Sequence, residues 1–148
     1  MISPLTCPPS NSGWSTMLKS VTRNDHDLEI IHEIAASGAD RPVLMMNLNR
    51  YVEAAGYPDG ALYKDYMRAL DGVLPQVSGK ILWRSPVYGQ TVGQQLLHEI
   101  LAVWYPSHQA FLDLRDVPGS EENFRLREEA VEAAVIHRCD GGVAPFCS

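Results

Sequence analysis

Two short segments of this chain are apolar on both sides when they are written as β-strands. Residues 43–50 alternate Val43 and Met45 on one side with Leu44, Met46 and Leu48 on the other. Residues 96–105 behave in the same way, with Leu97, Leu101 and Val103 opposing Leu96, Ile100, Ala102 and Trp104. Strands of this kind need cover on both faces of their sheet.

The segments around these strands predict an α+β fold with the order strand, helix, strand, strand, helix, strand. This is the split βαβ arrangement, in which helices cover one face of a four-stranded antiparallel sheet. Pro86 has no amide hydrogen, so its strand should lie at a sheet edge or carry a bulge. After the first strand we expect a helix at 62–77, strands at 80–92 and 96–105, helices at 106–114 and 124–133, and a strand at 134–139.

The helices of such a fold cover one face of the sheet, so the second face needs another layer. We expect a second copy of the chain to supply it, because burial contributes roughly 25 cal/mol per Å² of apolar area. The alternative cover is a short leading helix that begins near Asn24 and ends before Gly38. Its apolar face comprises Leu28, Ile31, Ile34 and Ala35. We expect an N-terminal extension with this helix at 1–41, one domain at 42–139 and a tail at 140–148.

Charge and composition argue against several kinds of partner. The formal net charge is −6 and the 12 basic residues are scattered, which disfavours nucleic acid and anionic lipid. No apolar run approaches the roughly 20 residues of a membrane span, and no signal peptide is visible, so we expect a cytoplasmic protein. The cysteines, Cys7, Cys139 and Cys147, form no Cys-x-x-Cys pair, although the last two could bridge.

Four motifs between residues 42 and 139 resemble, in their order and spacing, a bacterial domain-of-unknown-function family of the dimeric α+β barrel superfamily. The resemblance implies a ferredoxin-like protomer whose sheet packs on a partner's sheet, with small-molecule pockets lined by the sheet and its helices. Asn49 stands where that family more often has an apolar residue. The motifs are Asn47-Leu48-Asn49-Arg50-Tyr51, Tyr57-Pro58-Asp59-Gly60, Gly79-Lys80-Ile81-Leu82-Trp83-Arg84 and Trp104-Tyr105-Pro106-Ser107.

The same resemblance implies a range of activities rather than one. The superfamily includes cofactor-independent quinone-forming monooxygenases, polyketide cyclases, muconolactone isomerases and haem-degrading enzymes, whereas this family has no common assigned activity. Our first hypothesis is a cofactor-independent enzyme that performs acid–base chemistry on an enolisable or aromatic metabolite. The alternative is a non-catalytic homodimeric module that binds a small molecule.

Three residues are candidates for catalysis. Asn47 is a polar residue within an apolar strand; its amide could orient a substrate carbonyl or form a structural hydrogen bond. His98 could act as a general base because imidazole titrates near neutral pH, although a single strand histidine is more often structural. Tyr66 could donate a proton, although its helical spacing also suits ordinary packing.

Further residues are candidates for substrate binding. Aromatic side chains could wall a pocket, and an arginine could hold a carboxylate through paired N–H donors. Core packing and surface ion pairs are the alternative roles. The sequence suggests no metal site, because both His-Glu pairs lack a second histidine four residues after the first; haem binding by His98 or His137 is a further hypothesis. The binding candidates are Trp83, Trp104, Tyr105, Phe111, His137, Arg50, Arg84 and Arg127.

Overall fold

The computed structural model of the chain describes residues 22–142. Residues 1–21 of the expected extension and residues 143–148 of the expected tail, including Cys147, lie outside this range. Short 3-10 turns occupy Glu53–Ala55, Leu74–Val77 and Leu114–Asp116. The main elements are α1 (Asp25–Ala36), β1 (Val43–Tyr51), α2 (Ala61–Val73), β2 (Lys80–Pro86), β3 (Glu99–Tyr105), α3 (His108–Asp113), α4 (Ser120–Ala130) and β4 (Val131–Asp140).

The four strands form one antiparallel sheet in the order β2-β3-β1-β4. Both central strands, β1 and β3, are the segments with apolar residues on both sides. The chain therefore has the predicted α+β fold of the ferredoxin-like type, with a four-stranded antiparallel sheet. Pro86 ends the edge strand β2, as its missing amide hydrogen predicts, and the same strand carries an irregularity between Ile81 and Trp83.

The helices pack against one face of the sheet. Odd-numbered residues of the central strands, such as Met45 and Val103, join the core with Tyr66 and Leu70 of α2. Helix α1 begins at Asn24, whose side chain caps it, and buries Ile31 in the same core. The expectation that α1 could cover the second face is therefore wrong, because its apolar face already packs on the first.

The second face of the sheet has no layer over it among residues 22–142. Cross-strand pairing places Ile100, Leu48 and Val135 side by side on this face, and Val135 is 40% exposed. Trp104 lies across β1 here, because its indole Nε1 donates a hydrogen bond of 3.0 Å to the carbonyl of Gly141 beyond β4. None of the helices in the described range is long and apolar enough to cross a membrane.

Several element boundaries differ from the prediction. Strand β2 ends at Pro86 rather than near residue 92, and β3 begins at Glu99 rather than at residue 96. The hydrogen bond from Val87 N–H to the His98 carbonyl (2.9 Å) closes this hairpin, and the loop beyond it leaves Tyr88 98% exposed. At the other end, α4 begins at Ser120 and passes directly into β4 at Val131, so residues 131–133 are strand rather than helix.

Candidate active site

A cavity of about 730 Å³ lies between the helix-covered face of the sheet and the helices. Met45, Leu101 and Val103 form its sheet side, while α1, α2 and α4 supply the walls. Its volume is within the range of about 300 to 1,000 Å³ that is typical of small-molecule sites. Apolar side chains supply most of the exposed lining, but eleven of the 25 lining residues are polar or charged, and their chemistry decides what the cavity could bind.

Tyr66 and Arg127 form the polar pair of the helical walls. The position of Tyr66 on the inner face of α2 leaves its side chain buried, and Arg127 of α4 lies close enough to act on its pKa. Burial raises the pKa of Tyr66, while the positive charge of Arg127 opposes that rise. A guanidinium has donors only, so a hydrogen bond from Arg127 would use the phenol oxygen and leave the phenol proton available to another acceptor.

Four asparagines line the cavity, and three of them lie on the sheet or on α4 rather than at the cap of α1. Asn47 and Asn49 lie on the cavity side of β1, and Asn123 lies in the first half of α4. The Asn47 amide nitrogen donates to the Met45 carbonyl of its own strand at 3.1 Å. The Oδ1 atoms of Asn49 and Asn123 are buried and lack a hydrogen-bond partner. Protein atoms enclose these two oxygens, which are not exposed on the cavity surface.

An ion pair joins α1 to the sheet at the cavity wall. Two guanidinium nitrogens of Arg138 donate to the two carboxylate oxygens of Asp27, at 2.8 and 3.0 Å. The Arg138 hydrogen bonds lower the pKa of Asp27, and the same pairing raises the pKa of Arg138. This pair fixes the position of α1 over the sheet, which gives the cavity one of its walls.

A second polar cluster lies beside the cavity, around the buried carboxylate of Glu99. The Tyr51 hydroxyl donates to Glu99 Oε1 at 2.7 Å, and the Tyr63 hydroxyl lies 2.9 Å from both carboxylate oxygens. Burial and the nearby Glu99 charge raise the pKa of both phenols. The Nδ2 atom of Asn49 lies 3.3 Å from the Tyr51 hydroxyl, so this cluster contacts the cavity lining.

The structure brings together part of the predicted site. Asn47, Tyr66, Tyr105, Phe111 and Arg127 all line the cavity. The rings of Tyr105 and Phe111 meet edge to face, with centroids 5.4 Å apart. These five residues come from five different elements, and all of them lie between the sheet and its helices.

His98 is not among the residues that line the cavity. It lies just before β3, and its Nδ1 accepts a hydrogen bond of 2.9 Å from the backbone N–H of Tyr51. Burial and then the positive charge of Arg50 lower its pKa below the usual value. The geometry gives His98 a structural hydrogen bond, and its catalytic role stays a prediction.

The other predicted binding residues also lie outside the cavity lining. Arg84 extends from β2 toward Glu99, with 3.8 Å between Nε and Oε2. Arg50 forms an ion pair with Glu132, with 3.2 Å between the charged groups but without hydrogen-bond alignment. Trp83, Trp104 and His137 belong to the second sheet face, where their strand pairing places them with Ala102, Leu44 and Met46.

Sequence reasoning missed the buried amides and the carboxylate cluster. Asn49 follows Asn47 by two residues on the same strand, so the alternation could have indicated that both face the cavity. No pattern in the sequence indicates that Asn123 or Glu99 is buried beside the cavity. Glu99 is buried only because Tyr51 and Tyr63, which are distant in sequence, donate to it.

Comparison with solved structures supports the fold. The RPA0582 protein of unknown function from Rhodopseudomonas palustris shares 23% identity, with a TM-score of 0.68 over 85% of this chain and 98% of that chain. Methylated RPA0582 gives 23% identity and a TM-score of 0.69 over 88% and 100%. A dabb family protein with a ferredoxin-like fold from Mesorhizobium loti shares 13% identity, with a TM-score of 0.48 over 72% and 99%. No family model and no curated protein matches the chain.

Proposed function

We propose that this chain is a homodimeric enzyme that binds a small, largely apolar metabolite in the cavity and polarises a carbonyl group of it. The observation that supports this proposal is Tyr66, which lines the cavity beside the positive charge of Arg127. A neutral phenol with its proton free can donate to a carbonyl oxygen as negative charge develops there. The adjacent Arg127 charge stabilises that developing charge.

The chemistry that follows is proton exchange beside a carbonyl, without a cofactor. Hydrogen bonding to the carbonyl oxygen makes a neighbouring C–H more acidic, and its proton can pass to the carboxylate of Glu128, which also lines the cavity. The resulting enol or enolate can isomerise or cyclise. Asn47 lies on the sheet side of the same cavity, and its carbonyl oxygen could orient the substrate. Enolisable ketones and phenolic metabolites suit a cavity that combines the Tyr66 hydroxyl with a mainly apolar surface.

The second candidate is the non-catalytic binding module, and one feature of the lining favours it. Among residues 22–142, no histidine lines the cavity, and one of the two carboxylates that line it, that of Asp27, is already paired with Arg138. A protein that binds a small molecule without converting it needs no general base. The two candidates make different predictions for proton exchange in a bound ketone.

Deuterium exchange separates the candidates. We expect the protein to accelerate exchange of the α-hydrogens of 2-acetylcyclohexanone in D₂O, measured by proton NMR. Replacing Tyr66 by Phe removes one hydroxyl and should reduce the rate at least about tenfold, because one positioned acid contributes roughly 10² to 10⁴. Tyr57→Phe makes the same change outside the cavity and should retain the wild-type rate. Binding of the ketone with no acceleration would favour the non-catalytic module.

The homodimer is part of the same proposal. The second sheet face presents Leu48, Ile100 and Val135 without a covering layer from the described residues. Helix α1 packs against the opposite face and cannot cover this one. A second copy of the chain has the same apolar face and could cover it. Packing two such faces together buries the apolar side chains of both copies.

A further inference from the structure

The cavity carries a surplus of positive charge, although the whole chain has a net charge of −6. Among residues 22–142, four arginines and two carboxylates line it, which leaves two positive charges in excess. A concave surface with one sign of charge attracts ligands of the opposite sign. The charged lining residues are Arg23, Arg115, Arg127, Arg138, Asp27 and Glu128.

The described residues neutralise only part of this charge. Arg138 is paired with Asp27 through two hydrogen bonds. Arg115 and Arg127, by contrast, form no ion pair with any residue between 22 and 142. Arg127 is half-buried, and a charge that is partly removed from water favours a counter-ion. An anionic ligand would supply that counter-ion.

The 3-10 turn that carries Arg115 separates it from the acidic residues beside it in sequence. Asp113 and Asp116 line a different, open cleft. Asp113 accepts a hydrogen bond of 2.8 Å there from Gln109 Nε2. Arg115 is exposed and lines the main cavity instead. A residue that is both exposed and part of the lining lies where the cavity meets solvent, so Arg115 is at the mouth.

Helix α4 separates its charges in a similar way. Arg125 donates to the carboxylates of Glu122 and Glu129, at distances of 2.6 to 3.0 Å, and all three residues lie outside the cavity lining. Arg127 follows two residues later, on nearly the opposite side of the helix, and lines the cavity with Tyr66. The two acids that Arg125 binds therefore do not offset the charge of Arg127.

We infer that the cavity takes molecules that join an apolar body to a carboxylate, and that Arg115 binds the carboxylate at the mouth. The inference rests on the proposed small-molecule site and names its ligand class. A guanidinium offers paired N–H donors, which match the two oxygens of a carboxylate. At the mouth the anion keeps part of its hydration, so less desolvation opposes binding. The apolar body then contacts Met45 and Val103, and Arg127 remains beside Tyr66.

Two probes of nearly the same shape test the preference for an anion. 2-Naphthoate and 2-naphthamide share an apolar body and differ in the charge of one group. We expect wild-type protein to bind the naphthoate at least about tenfold more tightly in an NMR titration, because hydrogen bonds to charged groups are the stronger ones. The methyl signals of Met45 and Val103 should shift with both probes, which places both in the cavity. Equal affinities would overturn the inference.

Three variants test the role of Arg115. Arg115→Gln removes the charge, so the affinity ratio of the two probes should fall at least about fivefold. Arg115→Lys keeps the charge without the paired donors and should give an intermediate ratio. Arg68→Gln makes the same change in net charge on the outer surface of α2 and should keep the wild-type ratio. Both arginines are exposed, so these substitutions should leave the fold intact.

The outcomes distinguish this inference from the proposal on which it rests. If neither probe shifts the cavity signals of the wild-type protein, the proposed small-molecule site fails. If both probes bind there with equal affinity, the site stands and the preference for a carboxylate fails. If Arg115→Gln keeps the wild-type ratio, or lowers it no more than Arg68→Gln does, the contact with Arg115 is contradicted.

Discussion

At the scale of single residues, His98 links the pH dependence of stability to one backbone hydrogen bond. Its Nδ1 accepts from the Tyr51 N–H only when that nitrogen carries no proton. Burial and the Arg50 charge lower the pKa of His98, so folding favours the neutral ring. The stabilisation is complete above the ordinary histidine pKa of about 6.5 and is lost as the pH falls through the lowered value.

Replacing His98 by Asn should make stability less dependent on pH. The asparagine Oδ1 can accept from Tyr51 N–H but does not titrate. We expect wild-type protein to lose about 0.5 to 1 kcal/mol more unfolding free energy than His98→Asn between pH 7.5 and pH 5.0, measured by urea denaturation. Parallel losses in the two proteins would show that protonation of His98 does not oppose folding.

The sequence identified some individual residues of the site and missed others. The alternation of β1 places Asn47 and Asn49 on one face, but it does not say which face the helices cover. The burial of Glu99 depends on phenols that are 36 and 48 residues away along the chain. Such partners are determined by the tertiary fold, so a local pattern indicates only that Glu99 is charged.

At the scale of elements, most helices and strands could be predicted, and the errors lie where tertiary contacts override local preference. The segment Val131-Glu132-Ala133-Ala134 contains good helix formers, which favoured a helix to residue 133. Pairing of Val131 with Tyr51 and of Ala133 with Arg50 makes it a strand instead. By contrast, the helix cap at Asn24 and the edge position of Pro86 follow from local chemistry.

The turn that leads into α2 gives a prediction with an internal control. A Cβ atom at Gly60 would overlap with the Ala55 carbonyl oxygen, whereas one at Gly72 of α2 would meet nothing within 4 Å. We expect Gly60→Ala to lower the unfolding free energy by about 1 to 3 kcal/mol through overpacking. Gly72→Ala should raise it by up to about 1 kcal/mol, because alanine favours a helix. Chemical denaturation of both variants measures the difference, and similar values would contradict the close approach at Gly60.

At the scale of the whole molecule, the two faces of the sheet have different chemistry. The helix-covered face carries the cavity with its amides, whereas the opposite face carries Leu44, Met46 and Leu48 along β1, followed by Arg50 near the end of the strand. Trp104 covers one end of this face by reaching the Gly141 carbonyl, and Lys80 Nζ lies 5.3 Å from its ring centroid. The centre of the face, around Leu48, is therefore where a second copy would bury the most apolar surface.

Replacing Leu48 by Glu should separate the two copies. The substitution occurs in both copies of a twofold-symmetric interface, so it buries two unpaired carboxylates at several kcal/mol each. We expect sedimentation equilibrium at micromolar concentration to give twice the chain mass for wild-type protein and the chain mass for Leu48→Glu. Val92→Glu introduces the same charge on the exposed loop and should remain dimeric. A wild-type protein that sediments as a monomer would contradict the proposed role of this face, while ligand binding in the cavity would still be testable in the single copy.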